Sequence, residues 1–211
     1  MKALILGDSQ TGYTGKEIQK ILEPRGFVVT RSVNSGKSTA WLADKAKDFP
    51  RQWDAVFILS GGNDGKVMAE SLTTLLDHFA PSAVKVYIPL PPATAITNMP
   101  LAKKVWGKAS SPQKFFPKTA KFREEKRDAY VTIAQALDWT VKDPRDAGVS
   151  EAVVQPSGVV YPSQPDGIHT TQPTSTEVAK YATSLQSDSW VMPLVVGAAV
   201  GFVVYLLKQD K

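Results

Sequence analysis

The sequence predicts an α/β domain, a parallel β-sheet covered by helices on both faces, followed by one apolar helix at the C-terminal end. Three observations carry this expectation. Short, wholly apolar runs such as Ala3–Gly7 and Ala55–Leu59 have the composition of strands buried on both sides. Between such runs lie segments whose apolar residues recur at helical spacing, and repeated βα units imply a parallel sheet. Near the end, Trp190–Leu207 reads WVMPLVVGAAVGFVVYLL, with no charged residue.

Taken in order, Ala3–Gly7 is the first strand. Lys16–Leu22 puts Ile18, Ile21 and Leu22 on one helical face, and Gly26 suits its stop. Phe27–Val33 is a second strand, and Ser38–Phe49 a helix with Ser38 or Thr39 as its cap. Ala55–Leu59 is the third strand and Val67–Phe79 the next helix. Val84–Leu90 is a fourth strand, ended by Pro91 and Pro92. Glu124–Trp139 is a long helix with Tyr130, Ile133 and Leu137 on one face, and Thr176–Leu185 is the last helix of the domain. Two stretches, Pro92–Arg123 and Asp143–Gln164, do not fit the alternation and read as long loops, which in compact domains usually carry function.

The chain has 211 residues, enough for one domain with a full core, here residues 1–185. It has no cysteine, which excludes disulfides, thiolate metal sites and a cysteine nucleophile. Its two histidines, His78 and His169, are too few for a multi-histidine metal site. The net charge of +5 is modest. Residues 186–189 read as a linker, 190–207 as a transmembrane helix and 208–211 as a tail. As a helix the apolar segment spans about 27 Å, close to the hydrocarbon thickness of a bilayer. Trp190 and Tyr205 lie near its two ends, where interfacial aromatics belong. Gly197 and Gly201 form a small-xxx-small face suited to pairing two such helices into a homo-oligomer. Met1–Gly7 is too short for a signal peptide, which favours a tail anchor that keeps the domain on the cytoplasmic face. Lys208 and Lys211 pull the other way under the positive-inside rule.

In a parallel α/β sheet, ligands bind at the carboxyl ends of the strands. Four polar clusters are expected there: Gly7-Asp8-Ser9-Gln10, Asn34-Ser35-Gly36-Lys37, Gly61-Gly62-Asn63-Asp64 and Asp166-Gly167-Ile168-His169. They contain what ester hydrolysis needs. A serine hydroxyl becomes a good nucleophile when a base takes its proton, and Ser9 sits at a strand end with His169 as candidate base. Asp166 is placed to orient the imidazole and stabilise its cation. The backbone N–H groups of Ser9 and Gly36 and the side-chain amide of Asn63 suit an oxyanion hole. Lys37 and Asp64 are candidates for the substrate rim, and Asp64 reads as structural rather than catalytic. Asp8 reads as a loop cap or backbone ligand, and His78 as a helix-end residue near the C-terminal dipole. Gly36-Lys37-Ser38-Thr39 resembles the end of a phosphate-binding loop, but that motif needs a glycine where Arg31 stands.

The GDS of Gly7–Ser9, the glycine at 36, the G-x-N-D of Gly61–Asp64 and the D-x-x-H of Asp166–His169 resemble, in order, the four blocks of the SGNH (GDSL-type) hydrolases, over about Met1–Leu185. The resemblance implies a flavodoxin-like three-layer α/β/α fold and hydrolysis of acyl or acetyl esters. It implies Ser9 as nucleophile, Asp166 and His169 as the rest of the triad, and Ser9, Gly36 and Asn63 as the oxyanion hole. Gln10 and Lys37 depart from the family, where an apolar and an acidic residue are common. No metal or cofactor is expected.

The substrate expected is an acetylated envelope glycan or a lipid ester, met at a bacterial envelope or at the membrane of a virus that breaches one. A non-catalytic binding module on the same fold is the alternative. The basic and aromatic stretch Lys103–Arg123 reads as a solvated loop, or as a rim for anionic headgroups or glycans. Nucleic acid is not expected as a partner.

Overall fold

A computed structural model describes residues 1–91, 112–147, 149, 153–155, 158–160, 170 and 172–184. The elements run β1 (Lys2–Gly7), α1 (Gln10–Leu22), β2 (Val28–Val33), α2 (Thr39–Ala46), β3 (Ala55–Ser60), α3 (Ala69–His78), β4 (Val84–Pro89), α4 (Pro112–Ala136), β5 (Thr140–Val141), β6 (Val153–Gln155), β7 (Gly158–Val160) and α5 (Gln172–Thr183). Five strands form a parallel sheet in the order β2-β1-β3-β4-β5. This is the strand order of flavodoxin-like sheets, whose switch point lies between β1 and β3. There Gly7 pairs with Leu59, so the two strands end together. β6 and β7 form a separate antiparallel pair.

Side chains of a strand alternate between faces, and two cores follow. On one face Leu4, Leu6, Val56 and Ile58 pack under α2, α3 and α4 through Leu42, Leu72, Leu76 and Tyr130. On the other, Ile5, Phe57 and Leu59 pack under α1 and α5 through Ile18, Leu22, Val178 and Ala182. β3 is buried along its whole length. β2, at one edge of the sheet, is mostly exposed, with Val28 at 70%.

The element boundaries differ from the sequence reading at instructive places. Helix α1 begins at Gln10, not Lys16. Its first turns bury Thr11, Thr14 and Gly15, small residues that supply no apolar periodicity but let the helix lie close on Ile5. Helix α4 begins at Pro112, inside the stretch read as a loop. Proline is favoured at the first helical position. The buried face of α4 carries Arg123, Lys126 and Arg127 before it reaches Tyr130 and Ala134, so a search for apolar spacing finds only its second half. The two short strands β6 and β7 lie within the other stretch read as loop. Ser38 does cap α2, accepting from Trp41 N–H at 3.3 Å. His78 ends α3, its Nε2 3.1 Å from the Phe49 carbonyl oxygen.

Among the described residues no helix is long and apolar enough to cross a membrane. The linker, the Trp190–Leu207 segment with Gly197 and Gly201, and the tail with Lys208 and Lys211 all lie outside the described residues, as do Lys103–Ser111.

Candidate active site

The carboxyl end of β1 is built around Gly7 and Asp8. A Cβ on Gly7 would run into the Leu59 carbonyl oxygen and Thr11 Oγ1, so only glycine lets the two strand ends approach. Asp8 N–H donates to that same Leu59 oxygen at 3.0 Å. The Asp8 carboxylate is 2% exposed and accepts from Gln10 N–H and from Gly62 N–H, each at 3.0 Å. Burial pushes its pKa up, while the two N–H groups and the Arg123 guanidinium oppose that rise. Ser9 follows as the N-cap of α1, with helical φ and ψ of −60° and −28°. Its side chain makes no capping bond to the helix, and its carbonyl accepts from Gly12 N–H at 3.0 Å. Ser9 is half-buried at the positive end of the helix, where negative charge is favoured.

The loop after β2 is fastened to β1 by Asn34. Its backbone N–H and its Nδ2 both donate to the Gly7 carbonyl, at 3.0 and 3.2 Å. Lys37 N–H closes a turn onto the Asn34 carbonyl at 3.1 Å. Gly36 occupies the third position of that turn with φ of +74°, which an L side chain adopts only with strain. Lys37 is exposed, its ammonium 5.2 Å from the centre of the Trp41 ring.

After β3, Asn63 is exposed and its Nδ2 donates to the Lys37 carbonyl at 3.2 Å. An amide nitrogen carries two hydrogens, and this bond uses one. The second and third loops are therefore in direct contact. Asp64 lies in the interior at 4% exposure, not on the rim where the sequence suggested it. Its Oδ1 accepts from Thr39 N–H at 2.8 Å, and its Oδ2 from Thr39 Oγ1 and Tyr130 OH, each at 2.6 Å. These three bonds use both carboxylate oxygens and, with its burial, tie the group to the interior. Tyr130 OH also accepts from Met68 N–H at 3.0 Å. Burial and the bond to Asp64 push the Tyr130 phenol well above its usual range, so it stays protonated and donates. Lys126, 2% exposed, donates to the Asp64 carbonyl at 2.7 Å. Burial lowers its pKa to about 8, helped by Arg123 and opposed by Asp64 and Asp8.

The sequence reading missed Thr39, Lys126 and Tyr130 as parts of this region. Tyr130 was visible as an apolar-face residue, but its hydroxyl bond was not. A lysine at a buried helical position reads as surface, and no sequence signal marks it.

Asp166 and His169 lie outside the described residues. Thr170, the residue after His169, is buried, and its Oγ1 donates to Gln10 Oε1 at 3.4 Å and meets Ser175 Oγ at 2.7 Å. Gln10 is the residue after Ser9. A cavity of about 10 Å³, room for about one water, lies there, lined in part by Asp8, Gln10, Ser60, Leu90 and Thr170. Among the described residues no group of three or more His, Asp or Glu side chains is arranged to hold a metal.

No family model matches the chain, and no curated protein matches it in sequence. Solved structures do match in fold. A carbohydrate acetylesterase family member from Sinorhizobium meliloti is 16% identical, with a TM-score of 0.57 over 93% of this chain and 99% of that one. An aryl esterase from M. smegmatis, in its inhibitor-bound form, is 17% identical, with a TM-score of 0.54 over 84% and 94%. A member of the lipolytic protein G-D-S-L family from Veillonella parvula is 12% identical, with a TM-score of 0.58 over 89% and 98%. At these identities the likeness is one of architecture: the chain has a hydrolase-like α/β fold of the kind seen in the SGNH (GDSL) esterases, over most of its length.

Proposed function

We propose that this protein is a serine ester hydrolase whose nucleophile is Ser9, with Asp166 and His169 completing the triad. The observation that carries the reading is the meeting of three loops at the β1/β3 switch point. Ser9 follows β1, Gly36 follows β2 and Asn63 follows β3, and the loops are tied by the Asp8–Gly62 and Asn63–Lys37 hydrogen bonds. The bond between Thr170 and Gln10 supports a base at His169, since each partner is the chain neighbour of a proposed catalytic residue.

In this reading His169 takes the Ser9 hydroxyl proton as Oγ attacks the acyl carbon, and the carbonyl π pair moves onto oxygen. The N–H groups of Ser9 and Gly36 and the Asn63 amide hold that oxyanion. In other hydrolases one such donor contributes about 3–4 kcal/mol. The intermediate collapses, the alkoxide leaves with the proton from His169, and acyl-Ser9 remains. Water, deprotonated by His169, repeats the attack and releases the acid.

The substrate we favour is an acetyl ester on an envelope glycan. No long apolar stretch flanks the candidate site residues in the sequence, which favours a short acyl group over a fatty chain. In this reading Trp190–Leu207 anchors the enzyme in a membrane, close to an envelope substrate. The test uses the full chain. A fluorophosphonate should label Ser9, p-nitrophenyl acetate should turn over faster than longer acyl esters, and Ser9→Ala should abolish both. Undiminished turnover by the alanine variant overturns the mechanism. A preference for long chains replaces the glycan with a lipid ester.

A further inference from the structure

We propose that Lys126 is a positioning residue for the oxyanion loop: its buried ammonium holds the Asp64 carbonyl and so fixes the segment that presents Asn63. The inference rests on the esterase reading for its catalytic consequence, and on geometry alone for the positioning.

Asp64 is gripped at both ends. Its carbonyl takes the Lys126 ammonium at 2.7 Å, and its carboxylate takes Thr39 and Tyr130. Thr39 belongs to α2, and Lys126 and Tyr130 to α4. Tyr130 also holds Met68 N–H, so α4 grips the loop from Asp64 to Met68 at two places one helical turn apart. Asn63 comes just before this grip, and its amide already touches the Lys37 carbonyl. A side chain that must meet a developing oxyanion loses effect if its backbone drifts, because such donors act through fixed placement.

The stability of the fold does not explain a lysine here. Among the described residues the ammonium makes one hydrogen bond, stands 5.0 Å from the centre of the Phe122 ring and forms no ion pair. An apolar side chain would fill the site without the desolvation cost of a buried cation. What an apolar side chain lacks is the donor, together with a positive charge behind the loop where the oxyanion forms.

The groups acting on Lys126 are Arg123 on its own helix, Asp64 after β3 and Asp8 after β1. Tyr130 on α4 and Tyr87 on β4 share the core beneath it, and burial keeps both phenols protonated well above its range. Among these groups Lys126 is the one whose charge changes as pH passes about 8.

The test compares the full-length wild type with Lys126→Met and Lys126→Arg. Hydrogen exchange of the 61–68 segment reads the positioning directly. It should speed up severalfold in the Met variant and be largely restored by Arg. Turnover of p-nitrophenyl acetate reads the consequence. In the Met variant kcat should fall roughly ten- to a hundredfold with KM little changed. The wild type should lose activity as pH rises through about 8, and the Met variant should lack that limb. Equal exchange in wild type and Met variant overturns the proposal whatever the activity, and so does an alkaline limb that survives in the Met variant. Absence of esterase activity in the wild type counts against the function alone, and the exchange result still decides the positioning.

Discussion

The Asp8 carboxylate and the Gly62 backbone N–H meet at 3.0 Å across the β1/β3 switch point, so one side chain joins the end of the Ser9 strand to the loop that carries Asn63. The other oxygen of the same carboxylate takes Gln10 N–H at 3.0 Å. Both bonds need an acceptor.

Asp8→Asn should therefore destabilise the fold. An asparagine offers one oxygen, and its NH2 faces an N–H wherever the other bond stood. The conflict at a buried site costs about 1–3 kcal/mol. The sign of the pH effect is set by burial, which raises the folded pKa of Asp8. The unfolded carboxyl ionises first, so this group's contribution to stability is fully present below its ordinary value of 3.8 and is lost as pH rises to the folded pKa. Denaturant melts of both forms at pH 7 measure the first effect. An unchanged midpoint would show that the two bonds contribute nothing.

Gly36→Ala should lower kcat more than it lowers stability. A Cβ at Gly36 has open space around it, but φ of +74° strains any L side chain by about 1–2 kcal/mol. The loop can relieve that strain by rotating the Gly36 peptide, which turns the proposed oxyanion donor away. A melt together with p-nitrophenyl acetate kinetics separates the two effects. A drop in melting temperature with full kcat would remove Gly36 from the oxyanion hole.

His169 must be neutral to act as base, and a free imidazole titrates near about 6.5. kcat/KM should fall at acid pH with one apparent ionisation, and His169→Ala should remove most activity. If that substitution leaves the acid limb in place, another group is the base.

The anchor is separable in this reading. Truncation after Ser187 should yield a soluble, folded and active enzyme, while the full chain needs detergent for extraction. Failure of the truncated chain to fold would make the last segment part of the core. Gly197→Ile and Gly201→Ile should weaken self-association of the segment in a transmembrane reporter. Equal signals from the native and substituted segments would remove the glycine face as an interface.

The centre of the sheet was legible because β1 and β3 are buried on both faces. Ala55–Leu59 is continuous apolar sequence, and no helix of ten residues has room between its flanking polar residues. The three described loops of the site were legible from glycines and polar residues at strand ends. Helix α4 was legible only from about Glu124, since the described buried positions ahead of Tyr130 hold Arg123, Lys126 and Arg127, and a sequence shows charge without showing burial. The groups that hold Asp64 in the interior were hidden for the same reason. Its partners, Thr39 and Tyr130, come from two helices far apart in the chain.

The bond between Gln10 and Thr170 spans 160 positions. A ribosome delivers the first partner near the start of synthesis and the second only when the domain is almost complete. The strands β1 to β4 can associate as they emerge, but helix α1 waits for α5, its neighbour on the same face of the sheet. The floor beside Ser9 is thus the last part of the domain to form. During synthesis the nascent chain carries its proposed nucleophile without the surroundings that would activate it until α5 has emerged.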